Sequence, residues 1–172
     1  MTQTNTTLKF QNQISTTKRI AATAIFTALA VVGSYLTIPS PIASLAFDSC
    51  AGFFAALYFG LYEGAFVCSF GHLATAIVHG FPFGWLHLPI AIAMALAGIS
   101  IALAIKMNKN WGFIPGVIAA VIINTVVVFP LSPWLGGLAV AIALVPSLVI
   151  GASVNAAVAT AAYIGVRGRL KV

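Results

Sequence analysis

Residues 86–110 read LHLPIAIAMALAGISIALAIKMNKN. From Leu86 to Ile105 there is no Asp, Glu, Lys or Arg, and the run closes on the polar stretch KMNKN (106–110). At about 1.5 Å of rise per residue, a helix of this length crosses the roughly 30 Å hydrocarbon core of a bilayer. The rest of the chain has the same character. Of its 172 residues 61% are hydrophobic and 6% charged, against roughly 25% charged in soluble domains, and the mean hydropathy is +1.09. The sequence reads as an all-α integral membrane protein.

Working outward from this stretch, the Pro, Gly and charged positions cut the chain into further spans. Ile20 to Ile38 is the first, stopped by Pro39, Ser40 and Pro41, because proline cannot continue a helix. Ile42 to Tyr62, containing Asp48, is the second and Gly64 to Gly80 the third, joined through GLYEG (60–64) with its Glu63. Leu86 to Ile105 is the fourth and Gly112 to Pro130 the fifth. Leu135 to Val166 exceeds one straight span, so Pro146 is read as a break. Leu135 to Val145 becomes a short outer re-entrant or surface helix and Pro146 to Val166 the sixth span.

This division gives a polar N-terminal segment (1–19), a six-helix membrane domain (20–166) and a basic tail (167–172). With both termini in the cytoplasm, Lys9, Lys18 and Arg19, then Lys106 and Lys109, then Arg167, Arg169 and Lys171 all fall inside, as the positive-inside rule requires. The net charge of +6 thus reports topology; no basic face interleaved with aromatics suggests nucleic acid. The N-terminal stretch lacks the apolar core and cleavage site of a signal peptide and is expected to stay in the cytoplasm. Glu63 falls inside at the start of the third helix, where a carboxylate suits the helix dipole. Cys50 and Cys68 map toward opposite faces and read as small apolar side chains, not a disulfide.

The rare polar chemistry gathers toward the outside. All three histidines lie within FGHLATAIVHGFPFGWLHLP (70–89), beside Trp85. His72 and His79, seven apart, share a helix face, and His87 opens the fourth span. Asp48 is the strongest single candidate, because an ionisable group at membrane depth usually faces a bundle interior or cavity; its alternative is a structural cap on a nearby helix end. Asn124 and Asn155 lie within the fifth and sixth spans. If these residues converge, Asp48, His72, His79, Trp85, His87, Asn124 and Asn155 line a substrate cavity open to the outside. The alternative for the amides and imidazoles is interhelical glue, worth about 0.6 kcal/mol on average. For Tyr35, Phe81, Phe83, Trp85 and Trp134 it is an interfacial aromatic belt, with Trp85, between His79 and His87, assigned to the site.

Such a cavity has aromatic walls, one carboxylate, amides and imidazoles, and no Lys or Arg in its half of the membrane. Carboxylate and phosphate ligands are normally met by Arg or Lys, so the fitting ligand is a flat, neutral or weakly basic heteroaromatic with hydroxyls. The histidine spacing matches no tight metal motif, and no metal or cofactor is expected. Enzyme chemistry lacks its parts: there is no carboxylate pair, no HExxH or GxSxG and no Walker lysine. Without a visible internal repeat, the chain reads as a binding subunit; a stand-alone secondary transporter and a small membrane enzyme are the alternatives.

The six-span layout, an alanine-rich first helix (AATAIFTALA, 21–30) and a proline-led last helix carrying an Asn resemble the S components of energy-coupling factor (ECF) transporters, the vitamin-binding subunits of bacterial importers. The stretches PSPIASLAFDSCAGFFAALYFGLYEGAFVCSFGHLATAIVHGFPFG (39–84) and VPSLVIGASVNAAVA (145–159) resemble the branch assigned to α-ribazole, a benzimidazole nucleoside of cobamide salvage. Where many members read GPLYG, this chain has LYEG without the proline, and it begins MTQ instead of the Met-His of cobalt and nickel members. The resemblance implies a subunit of the bacterial plasma membrane that captures a small molecule from outside. It implies contact through Ala24 and Ala28 with a membrane coupling subunit driven by two cytoplasmic ATPases, and tipping in the bilayer to release the ligand. Riboflavin, thiamine-related and queuosine-related compounds are the alternative ligands.

Overall fold

The computed structural model describes residues 15–38 and 45–167. Ser15 caps the first helix, its hydroxyl accepting from the Lys18 N–H at 3.4 Å. Helix α1 (Thr16–Tyr35) therefore starts before the expected first span, and Lys18 and Arg19 lie in its opening turn. The rest of the polar N-terminal segment, Pro39, Ser40 and Pro41, and Arg169 and Lys171 of the basic tail lie outside the described residues.

The second expected span is not one helix. Strand β1 (Thr37–Ile38) pairs antiparallel with β2 (Leu45–Ala46), Thr37 opposite Ala46 and Ile38 opposite Leu45. Helix α2 (Asp48–Tyr58) follows with only 11 residues, about 16 Å of helix. Asp48 is thus the first residue of that helix. A carboxylate suits that place, where the unpaired N–H groups of a helix start carry partial positive charge.

Helices α3 (Leu61–Val78) and α4 (His87–Met107) follow, separated by a loop that ends in the 3-10 turn Gly84–Leu86. Helix α5 (Phe113–Val126) runs almost directly into α6 (Val128–Leu135), past Pro130, where the fifth span was expected to stop. The helical run stops instead at Gly136 and Gly137, whose φ of 102° and 101° few other residues adopt. Helix α7 (Leu138–Arg167) is continuous for 30 residues through Pro146. The expected outer helix and the break at Pro146 are therefore absent. One proline removes a single backbone hydrogen bond, and a bilayer penalises a break, with its freed carbonyls, more than a continued helix.

Among the described residues, four helical stretches are long and apolar enough to cross a membrane: Leu61–Val78, Gly84–Met107, Phe113–Leu135 and Leu138–Arg167. Helix α2 is the centre of the bundle, packed on α1, α3, α4 and α7. Its Phe53 is fully buried and joins Met94, Ile101, Phe113 and Tyr163 in the main core. Small residues set these approaches. A Cβ on Gly64 would stand 2.5 Å from the Ala56 side chain, and one on Gly98 would stand 2.6 Å from the Gly64 carbonyl oxygen, so α2, α3 and α4 pack nearly backbone to backbone. Cys68 lies against Gly52 of α2, not toward the face opposite Cys50 as expected, and both thiols are free.

The two ends of the bundle differ. Arg19 pairs with Glu63, which brings the starts of α1 and α3 together. Arg167 donates to the Asn110 carbonyl at 3.3 Å and lies over the rings of Phe113 and Tyr163, which brings the end of α7 to the α4–α5 turn. Lys106 is in the last turn of α4. The aromatic and histidine-bearing segments occupy the opposite end.

Candidate functional site

The α3–α4 loop is held by an ordered chain of hydrogen bonds. The Phe83 backbone N–H donates to His87 Nε2 at 3.3 Å, and His87 Nδ1 stands 3.1 Å from His72 Nε2. A backbone N–H can only donate, so His87 Nε2 carries the lone pair and its Nδ1 the proton. His72 Nε2 is then the acceptor, and both imidazoles are neutral. His87 is buried, and the Phe81 and Phe83 rings stand 5.3 and 5.6 Å from its own.

Local backbone explains how the loop reaches this pose. Helix α3 ends at Val78 with His79 as its C-cap, after which Gly80 (φ 78°) and Phe81 (φ 53°) both take left-handed geometry. The Phe81 N–H returns to the Ala76 carbonyl at 2.7 Å. Glycine does this freely, whereas phenylalanine is strained there, and the strained residue is the one set edge-on to His87. Gly84 (φ 55°) turns the chain again into the 3-10 turn. Trp85 stands exposed on that turn, its ring 5.6 Å from Trp134 of α6 and nearly perpendicular to it.

His79 points elsewhere on the same helix face. Its Nδ1 lies 3.0 Å from the Thr75 carbonyl oxygen and its ring 5.7 Å from Tyr35. Asp48 is within electrostatic reach of His79, and its Oδ1 accepts from the Ser49 hydroxyl at 3.2 Å. The structure thus brings His72 directly onto His87, sets His79 apart from them beside Tyr35, and leaves Trp85 exposed on the loop. Among the described residues no three His, Cys, Asp or Glu side chains group as metal ligands would.

The two amides differ from this group. Asn155 is buried on α7, and its side chain is fully engaged by backbone. Its Oδ1 accepts from the Cys50 N–H at 2.7 Å, and its Nδ2 donates to the Ala46 and Gly151 carbonyls at 2.8 and 2.9 Å. It therefore caps the start of α2 from across the bundle. Asn124 is half-buried on α5, and none of these hydrogen bonds reaches it. Sequence reasoning passed over Thr75. It lies three residues from His72 and four from His79 on one helix face, and its hydroxyl is buried without a partner. The i, i+3, i+7 spacing His72–Thr75–His79 was its only trace in the sequence.

Ala24 and Ala28 are exposed along α1 together with Ala21, leaving a face of small side chains uncovered by the rest of the bundle. A sequence model described as ECF transporter, substrate-specific component, matches residues 18–167.

The chain belongs to this family. It is a substrate-binding transport subunit and not an enzyme, and it crosses the membrane more than once. Membership implies a small-molecule substrate and a membrane-embedded ECF module of coupling component and ATPases. The fold is similar to a solved S component of a bacterial ECF transporter, with a TM-score of 0.59 over 92% of this chain and 100% of that one, at 22% identity. No curated protein matches the sequence.

Proposed function

We propose that this S component captures a neutral or weakly basic heteroaromatic compound from outside a bacterial plasma membrane, with α-ribazole as the best-fitting candidate. The observation that carries this reading is the neutral His72–His87 pair beneath an aromatic loop, at the end of the bundle away from Arg19, Lys106 and Arg167. A ligand with hydroxyls and a flat ring finds acceptors, donors and stacking faces there, and no described cation that would suit a carboxylate or phosphate. Asp48, His72, His79, Trp85 and His87 form the contact set. Thr75 joins them because its buried hydroxyl lacks a partner. Asn155 serves the site by fixing the start of α2, and Asn124 contributes from α5.

The topology we propose has six crossings with both termini cytoplasmic, retaining the polar, membrane and basic segments of the sequence reading with α1 begun at Thr16. The second crossing combines α2 with the extended β2 arm. Extended backbone at membrane depth is tolerated where protein covers it and its polar groups are paired, as Asn155 pairs Ala46. Coupling runs through Ala24 and Ala28 to a transmembrane subunit powered by two cytoplasmic ATPases.

The test is titration calorimetry of the purified protein with α-ribazole, riboflavin, thiamine and pantothenate. Tight binding of α-ribazole, returned chemically unchanged, is the expected result. Tight binding of pantothenate overturns the ligand class, and binding of riboflavin or thiamine in place of α-ribazole overturns the ligand while keeping the class.

A further inference from the structure

The chain carries eight Lys and Arg side chains against two carboxylate side chains, Asp48 and Glu63. Glu63 pairs with Arg19, the one ion pair among the described residues. Asp48 starts α2, whose Cys50 N–H is held by Asn155, and Asn155 stands about three helical turns before Arg167 on α7. Neither carboxylate is therefore left for the basic group where the end of α7 meets the α4–α5 turn. Lys106, Lys109 and Arg167 are all exposed there. Arg167 is nonetheless held in place. Its Nη1 donates to the Asn110 carbonyl at 3.3 Å, and its Cζ stands 5.3 and 5.8 Å from the Phe113 and Tyr163 ring centroids. The turn that receives it is fixed as well. Asn108 Oδ1 accepts from the Asn110 and Trp111 N–H groups, both at 3.1 Å, and the Gly112 N–H returns to the Asn108 carbonyl at 2.7 Å. Met107 and Trp111, 87% and 67% exposed, flank that turn with apolar surface.

We propose that the α4–α5 turn and the end of α7 together bind the phosphate headgroup of an anionic phospholipid, with Arg167 as the principal contact, Lys106 and Lys109 adding charge, and Met107 and Trp111 meeting the upper part of the acyl chains. These residues lie at the ends of three of the stretches long and apolar enough to cross a membrane, Gly84–Met107, Phe113–Leu135 and Leu138–Arg167. The end of such a stretch stands at headgroup level, the depth that suits an exposed tryptophan. A guanidinium has five N–H donors, and the Asn110 carbonyl takes one. The remaining planar fork matches a phosphate bidentately, and an Arg already held by two rings and a carbonyl loses little freedom on binding. A zwitterionic headgroup brings its own ammonium and leaves the excess positive charge unmatched. Free phosphate offers nothing to Met107 and Trp111. The bound lipid fastens the corner formed by α4, α5 and α7 to one leaflet, which in the proposed topology is the cytoplasmic one.

Only the choice of leaflet rests on the proposed topology, and ligand capture is not involved, so the two readings fail separately. The experiment is native mass spectrometry of the full chain released from mixed micelles holding equal amounts of phosphatidylglycerol and phosphatidylcholine. Phosphatidylglycerol should be retained about tenfold or more in preference. Arg167→Gln should reduce that preference about fivefold, and Arg167→Lys, which keeps the charge and loses the fork, by less. Lys106→Gln combined with Lys109→Gln changes only exposed side chains and should also lower it, which keeps the test informative should Arg167→Gln loosen the end of α7. With Trp85→Phe and Trp134→Phe leaving Trp111 as the sole tryptophan, brominated phosphatidylglycerol should quench its fluorescence more than brominated phosphatidylcholine. Equal retention of the two lipids by the wild type overturns the proposal, as does an undiminished preference in both the arginine and the double lysine variant. Displacement of phosphatidylglycerol by millimolar inorganic phosphate overturns it in favour of a free anion. Weakened affinity of Arg167→Gln for a purified ECF module, with lipid retention unchanged, overturns it in favour of an acidic protein surface.

Discussion

His87 Nδ1 stands 3.1 Å from His72 Nε2 while its Nε2 accepts the Phe83 N–H, so one buried imidazole ties the α3–α4 loop to the middle of α3. Replacing it with Phe keeps ring volume and removes both bonds. His87→Phe should destabilise the fold by about 1 to 3 kcal/mol, because the Phe83 N–H and His72 Nε2 lose their partner. Thermal unfolding in detergent measures this, and faster proteolysis within residues 81–86 should accompany it. An unchanged midpoint would show that the loop is held by its aromatic contacts alone.

Asn155 holds the start of α2 through the Cys50 N–H and the Ala46 carbonyl. Asn155→Ala strands both groups in the bundle interior and should cost about 1 to 3 kcal/mol. Asn155→Asp should be worse, since a carboxylate turns acceptor oxygens toward the Ala46 and Gly151 carbonyls. Unfolding midpoints in the order wild type, Ala, Asp are the expected result. If Asn155 instead touches ligand directly, Asn155→Ala will lose affinity with its midpoint unchanged.

Asp48→Asn retains the size of the side chain and removes its charge. If the carboxylate accepts ligand hydroxyls, a charged hydrogen bond of about 1.5 to 3 kcal/mol is lost, which is roughly a 10- to 100-fold drop in affinity. Calorimetry with α-ribazole reads it directly, and wild-type affinity would remove Asp48 from the site.

Trp85 meets Trp134 at the rim, and ligand that closes the loop should alter their fluorescence. Trp85→Ala should cost about 1 to 3 kcal/mol of binding if the ring stacks as aromatics do on nucleobases. A cysteine label introduced by Phe83→Cys should react from outside and be protected by saturating ligand. Equal labelling with and without ligand would exclude closure of this loop.

Ala24→Leu and Ala28→Leu add bulk to the exposed face of α1. Uptake in cells should fall while ligand binding by the isolated subunit is kept, because the altered contact is with the partner. Loss of binding in the isolated variants would put α1 in the cavity wall.

The membrane class and most helix positions were determined by the sequence alone, because a bilayer demands long uncharged runs and those are countable. Leu86 to Ile105 became the body of α4 for that reason. The residues that gather at the aromatic end were also visible as types, since histidine and aspartate are rare in such a chain. Tertiary structure decided whatever depended on a partner distant in sequence. Pro146 reads locally as a break, yet α7 runs through it, since a single lost bond is cheaper in apolar surroundings than a severed helix. Ile42 to Tyr62 has the hydropathy of a span, yet it divides into an extended arm and a short α2, whose first turn is capped by an Asn more than a hundred residues away. Glu63 looks from sequence like a residue satisfied by its own helix start. Only the approach of α1 reveals the bond to Arg19 and the buried oxygen left without one, because periodicity specifies which face of a helix is apolar and not which helix will meet it.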